Sequence, residues 1–125
     1  KIGRIRDKLQ NILDRHREEI IVFINNLQHR IKISTLPTVP DIAESILADI
    51  SHLVGYADAF IFEPHFLYPD LIVFSPLAIE NEQENSLFAL LAHEYAHVVL
   101  GHAIESPVEP EPEADAVGSY IYTLR

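Results

Sequence analysis

The sequence contains no cysteine, no methionine and no tryptophan, and only four glycines. Without cysteine there is no disulfide, no thiolate metal ligand and no cysteine nucleophile. The missing methionine extends to the first position, Lys1, so the chain is expected to start after processing or to be a piece of a longer protein. Long apolar runs are missing too. The longest, Ile20–Ile24 and Leu87–Ala92, fall far short of the ~18 residues that span a bilayer. No charged-then-apolar leader opens the chain. Together these absences place the expected location in the cytoplasm, with no transmembrane segment.

Positive charge is absent from most of the chain. Residues 33–124 hold fifteen acids and no lysine or arginine, whereas residues 1–32 hold eight of the nine basic residues. The net charge of -10 is therefore sharply divided. An acidic body lacks the basic footprint that phosphate backbones require, so no nucleic-acid partner is expected. The basic segment 1–32 reads as a solvated amphipathic helix beside an oppositely charged body. It also offers a surface for docking to a partner or a membrane.

What is present suffices for a single domain spanning 1–125. The chain has 125 residues, 48% of them hydrophobic, enough for one core and no second. Apolar residues at Ile5, Leu9, Ile12, Leu13, Ile20, Ile24, Leu27 and Ile31 follow a helical period, which predicts a basic amphipathic helix over 1–33 with a break near 16–19. Thr35 to Pro40 is a connection. Asp41 to Val54 reads as a second helix ended by Gly55. Ala59–Glu63 and Leu71–Ser75 read as strands separated by a turn region from Pro64 to Asp70. Asn81, with Glu84 three residues on, predicts a capped start to a helix that ends at Gly101. Glu105–Pro112 is a loop, and Glu113–Leu124 a last helix with Pro112 at its first turn.

One segment carries chemistry. Leu87–Leu100 is apolar nearly all round, so its helix should be buried. His93, Glu94 and His97 interrupt it, and burying them without partners costs several kcal/mol. His93 and His97 are four apart, so their imidazoles leave one helix face and can meet one metal ion. Glu94 lies about 100° round the helix, where it reaches a water rather than the metal. This is the HExxH pattern. A catalytic zinc site needs a third protein ligand and an open fourth position. A third histidine at metzincin spacing is missing, since Leu100 and Ala103 stand where glycine and histidine would be. A carboxylate from Glu111-Pro-Glu113-Ala-Asp115 is the alternative donor. Glu111 and Asp115 are four apart and share a face. Gly118 extends that face and allows close approach of the last helix to the HExxH helix.

These residues resemble the gluzincin metallopeptidases, whose zinc is held by HExxH and a downstream glutamate. His93 to His102 with Glu111 to Gly118 is similar to the HtpX-type and ImmA/IrrE-type groups, and the size is similar to the minigluzincins. The resemblance covers residues ~84–124. It implies an α+β, zincin-like fold of about four helices and a small β-sheet, with HExxH on a central helix. It further implies Zn²⁺ held by His93, His97 and Glu111, with Glu94 as general base and Asp115 as a carboxylate supporting a ligating histidine. The implied activity is endopeptidase cleavage of peptide or protein substrates. Glu113 and His102 remain as other third donors. The alternative reading is a zinc-binding regulatory or latent domain without proteolysis of its own. Substrate is expected to pair along Leu71–Ser75 as an edge strand, and the acidic body should favour basic or neutral peptides. His65, Tyr120 and Tyr122 are candidates for stabilising an oxyanion, while Tyr95 reads as a core aromatic.

Overall fold

A computed structural model describes residues 2–27, 32–44, 65–68, 71–74, 76–100 and 111–125. The N-terminal apolar spacing folds as expected, including the break. Helix α1 (Ile2–Arg15) buries Ile5, Leu9, Ile12 and Leu13, and α2 (Arg17–Leu27) buries Ile20, Ile21 and Ile24. Helical hydrogen bonding continues through the bend: the His16 amide donates to Ile12 (2.9 Å), and the His16 carbonyl accepts from Ile20 (3.0 Å). With its apolar face in the core, α1 presents mainly charged and polar side chains outward. A docking surface on this helix is thus electrostatic, not an inserting apolar face.

Residues 32–40 form a connection that begins before the expected Thr35: Lys32 and Ile33, expected at the end of the N-terminal helix, are already non-helical, held with the rest of the segment by bonds to α1 and α2. Arg6 donates to the carbonyls of Val39 (2.8 Å) and Pro40 (3.2 Å), and the Val39 amide donates to Gln10 Oε1 (3.0 Å). Asn25 closes a reciprocal pair with the Ile33 amide and carbonyl. Leu36 and Val39 are buried beneath.

A three-stranded sheet follows: β1 (Asp41–Glu44), β2 (His65–Tyr68) and β3 (Leu71–Phe74), in the order β1-β3-β2. Strand β1 runs parallel to β3 with Asp41 opposite Leu71. Strand β2 runs antiparallel with Tyr68 opposite Leu71 and His65 opposite Phe74. Three expectations are corrected here. Asp41–Glu44 is extended, not the start of a helix: the Ile42–Ile46 spacing suits a helix, but pairing with β3 decides so short a stretch. His65–Tyr68, read as turn, is strand, because its residues pair antiparallel with Leu71–Phe74. Leu71–Phe74 is the central strand and not an edge, which suits its unbroken apolar run better than an edge would. Ile72 and Phe74 alternate onto the face that enters the core. The expected helix over 45–54, Gly55 and the expected strand Ala59–Glu63 lie outside the described residues.

Three further helices complete the order: α3 (Pro76–Asn81), α4 (Glu84–Leu100) and α5 (Glu111–Thr123). Asn81 ends α3 and does not cap α4. The first intrahelical acceptor of α4 is the Gln83 carbonyl, which takes the Leu87 amide at 2.9 Å. Glu84 instead pairs with Arg4 at 3.0 Å. Helix α5 opens two residues earlier than expected, and Pro112 sits in its first turn, where a missing N–H costs nothing. Gly101 and residues 105–110 lie outside the described residues. The described fold is therefore dominated by five helices, with one small sheet. Helix α4 is central: α5 packs along it more extensively than any other pair of helices, and α1 covers another side. No described helix is long and apolar enough to cross a membrane.

Candidate metal centre

Helix α4 buries Leu87, Phe88, Leu91, Ala92, Tyr95 and Ala96 completely. Within this apolar setting Glu94 and His97 are only 5% and 6% exposed. They are the only buried polar residues among those described, and both belong to the HExxH segment. His93, one turn before His97, is half-buried. Its Nε2 lies 3.2 Å from His97 Nε2, with the two rings edge-on to each other. Ligand atoms of His93, Glu94 and His97 all fall within 4.8 Å of one another.

The spacing of the two nitrogens tests whether a metal fits. Two imidazole nitrogens bound at about 2.0–2.1 Å to one tetrahedral ion lie about 3.3 Å apart. The 3.2 Å separation in this structure matches without rearrangement of the helix. The outer nitrogen of His93 supports the same reading. His93 Nδ1 lies 3.0 Å from Asp115 Oδ1. A carboxylate there accepts a hydrogen bond from Nδ1–H, which keeps the proton on Nδ1 and leaves the Nε2 lone pair facing His97, the tautomer that ligates a metal. Asp115 is itself largely exposed, so the contact orients the ring more than it stabilises the fold.

Asp115 reaches His93 because α5 lies unusually close to α4. A Cβ built on Gly118 would stand 3.0 Å from His93 Cα and 3.1 Å from His93 N. Only a residue without a side chain allows two helix backbones to meet this way. Ala114, Val117 and Ile121 bury the rest of the stripe. The expected role of Gly118 is thus seen at the residue that matters most, His93.

Compared with family models, curated proteins and solved structures, the chain matches none. Glu111 is the first residue of α5, one turn before Asp115, and its side chain lies outside the described residues. So do His102 and the His65 side chain. Glu113 is half-buried on α5.

The tyrosines divide as follows. Tyr120 stacks flat on Phe23, ring centroids 4.2 Å apart, which ties α5 to α2. Tyr122 lies beside Phe88 and takes a hydrogen bond from Arg125 (2.7 Å). Both rings are engaged in packing. Tyr95 is core, as expected, and its hydroxyl also donates to the Pro37 carbonyl, fastening α4 beside Glu94 to the 32–40 connection. Burial pushes the Tyr95 phenol far above its ordinary range. The folded state therefore keeps a proton that the unfolded chain releases above pH ~10. That stabilisation is complete below pH ~10 and is lost as pH rises toward the raised folded value. Tyr95→Phe should cost about 1 kcal/mol at neutral pH, from the lost hydrogen bond. It should also flatten the loss of stability between pH 9 and 11. Urea unfolding across that range checks both, and an equally steep decline in the variant would show that Tyr95 is not its source.

Proposed function

We propose that this protein is a zinc-dependent endopeptidase of zincin-like fold. His93, His97 and Glu111 hold the metal, Glu94 is the general base, and Asp115 orients His93. One observation carries the reading: the two imidazole nitrogens converge at metal-ligand spacing, and a carboxylate fixes the proton of one ring. Support for Glu111 is its place on α5, one turn from the aspartate that meets His93. The central HExxH helix and the small sheet are compatible with a zincin-like arrangement.

Bound zinc supplies Lewis acidity, which polarises a peptide carbonyl and acidifies a water to near pH ~7. The remaining chemistry belongs to the chain. Glu94 accepts the water proton as the carbonyl carbon is attacked, then delivers it to the departing amine. Glu94 is only 5% exposed and lies among the fully buried Ala92, Tyr95 and Ala96, so the base is shielded from bulk water. Asp115 keeps the His93 proton on Nδ1 throughout.

Metal analysis of protein purified without chelator tests the reading first. One zinc per chain is expected, and protein that takes up no zinc would refute it. Asp115→Asn should weaken zinc affinity on the order of 10–100-fold by releasing the His93 ring. Glu111→Gln should lower zinc affinity and activity together. If Glu111→Gln leaves both unchanged, the third ligand is Glu113 or His102. Stoichiometric zinc with no cleavage of any peptide in a broad library would instead support a regulatory or latent domain.

A further inference from the structure

The positive charge gathered at the N-terminus is not spread evenly round α1. Arg4, Lys8, Asn11 and Arg15 follow the i, i+4, i+7, i+11 spacing that places them in one line along the helix. This line forms one wall of a groove of about 500 Å³, and Arg125 closes the groove from the end of the α5 segment. Ile12 and Leu124 supply apolar lining. Four cations line the groove against two acids, Asp7 and Glu84, on a chain that has no lysine or arginine between residues 33 and 124.

The groove already holds a carboxylate. Glu84 Oε1 lies 3.0 Å from Arg4 Nε, and the hydrogen bond from Arg4 holds the Glu84 carboxyl below the usual range. Among the described residues, no carboxylate pairs with Lys8, Arg15 or Arg125. Lys8 instead lies over the Phe88 ring at 5.4 Å, and Arg125 over the Tyr122 ring at 3.9 Å. Both cations are thus held at the surface on aromatic platforms, with their charge open to an incoming anion. The acidic body does not cancel this field locally, because charges beyond about 10 Å are screened at 0.1 M salt.

We infer that the groove along α1 binds an acidic peptide segment of another protein, its carboxylates paired with Lys8, Arg15 and Arg125. Three features favour a peptide over other polyanions. The groove is concave and of limited volume, unlike a surface that meets a bilayer. Asp7 and Glu84 interrupt the positive field, which opposes a continuous phosphate backbone. The apolar lining suits the aliphatic stems of glutamate side chains. The inference does not rest on the metal centre, and the groove can recruit an acidic region remote from any bond that is cleaved.

Fluorescence anisotropy of the full chain with a labelled, end-blocked peptide rich in Glu and Asp tests this. Binding is expected at 50 mM NaCl and should weaken at least tenfold at 500 mM. Lys8→Glu with Arg15→Glu should also weaken it at least tenfold. Both side chains are exposed, so circular dichroism should show unchanged helix content; Arg125→Glu, at the other wall, gives a second reading if it does not. Binding should be the same with and without added EDTA, which separates this site from the metal centre. Absence of peptide binding, indifference to the charge reversals, or tighter binding of a single-stranded oligonucleotide or of phosphatidylserine vesicles would overturn the inference.

Discussion

Glu94→Gln should retain its zinc and lose peptide cleavage by about 10²–10⁴-fold, the usual cost of removing a general base. The amide keeps the shape of the carboxylate but cannot take a proton from water. His93→Ala and His97→Ala should do the opposite, losing the metal and, with it, all activity. The contrast follows from where the three side chains leave α4. The two imidazoles meet at 3.2 Å, while Glu94 departs one residue round the helix and is buried beside them. Losing either ring would remove one of the three protein ligands proposed for the metal, and the tetrahedral set with it. Zinc content and turnover measured on the same preparations decide the matter. Zinc lost from Glu94→Gln, or kept at full stoichiometry in the double histidine variant, would dismantle the assignment.

Gly118→Val should destabilise the fold by roughly 3 kcal/mol or more, although valine is a better helix former than glycine. The propensity gain is below about 1 kcal/mol. Against it stands an overpacking cost, because even the first carbon of the new side chain would lie 3.0 Å from the His93 backbone. Backbone cannot rotate away as a side chain can, so α5 must move. Movement of α5 draws Asp115 from His93, and zinc affinity should fall along with the urea midpoint. A variant as stable as the parent would show that the helices have room to separate at this point, and that Gly118 does not set the site.

The parts of this design that were legible in the sequence depend on neighbours along one helix. The buried face of α1 and α2, the bend at His16, the HExxH pair and the Glu111-to-Gly118 stripe all follow from a period of 3.6 residues. Each needs only local spacing. A contact from Asp115 to a ligating histidine follows from its spacing to Glu111 and from the resemblance to gluzincins, but that the histidine is His93 comes from how α5 docks on α4. The sheet was less legible. Asp41–Glu44 carries a helix-compatible pattern, and its strand conformation comes from Leu71–Phe74, some thirty residues away. The central place of β3 likewise depends on partners that no local window contains. Tyr95 illustrates the same limit within the site. Its burial was readable, but its bond to Pro37 joins residues 58 positions apart, and a backbone carbonyl carries no sequence signature.

The stacking of Phe23 on Tyr120 and the pairing of Arg4 with Glu84 join the beginning of the chain to segments made much later. In the order of synthesis, α1 and α2 are complete long before α4 and α5 exist. At about 5–20 residues per second, roughly 100 residues take about 5–20 s to follow. Until then the stripe of Ile5, Leu9, Leu13 and Ile20, fully buried in the finished protein, lacks the part of its cover that α4 and α5 supply. A nascent chain of this kind offers an amphipathic helix to whatever apolar surface stands near the ribosome exit, and its own core can close only when α4 and α5 have emerged.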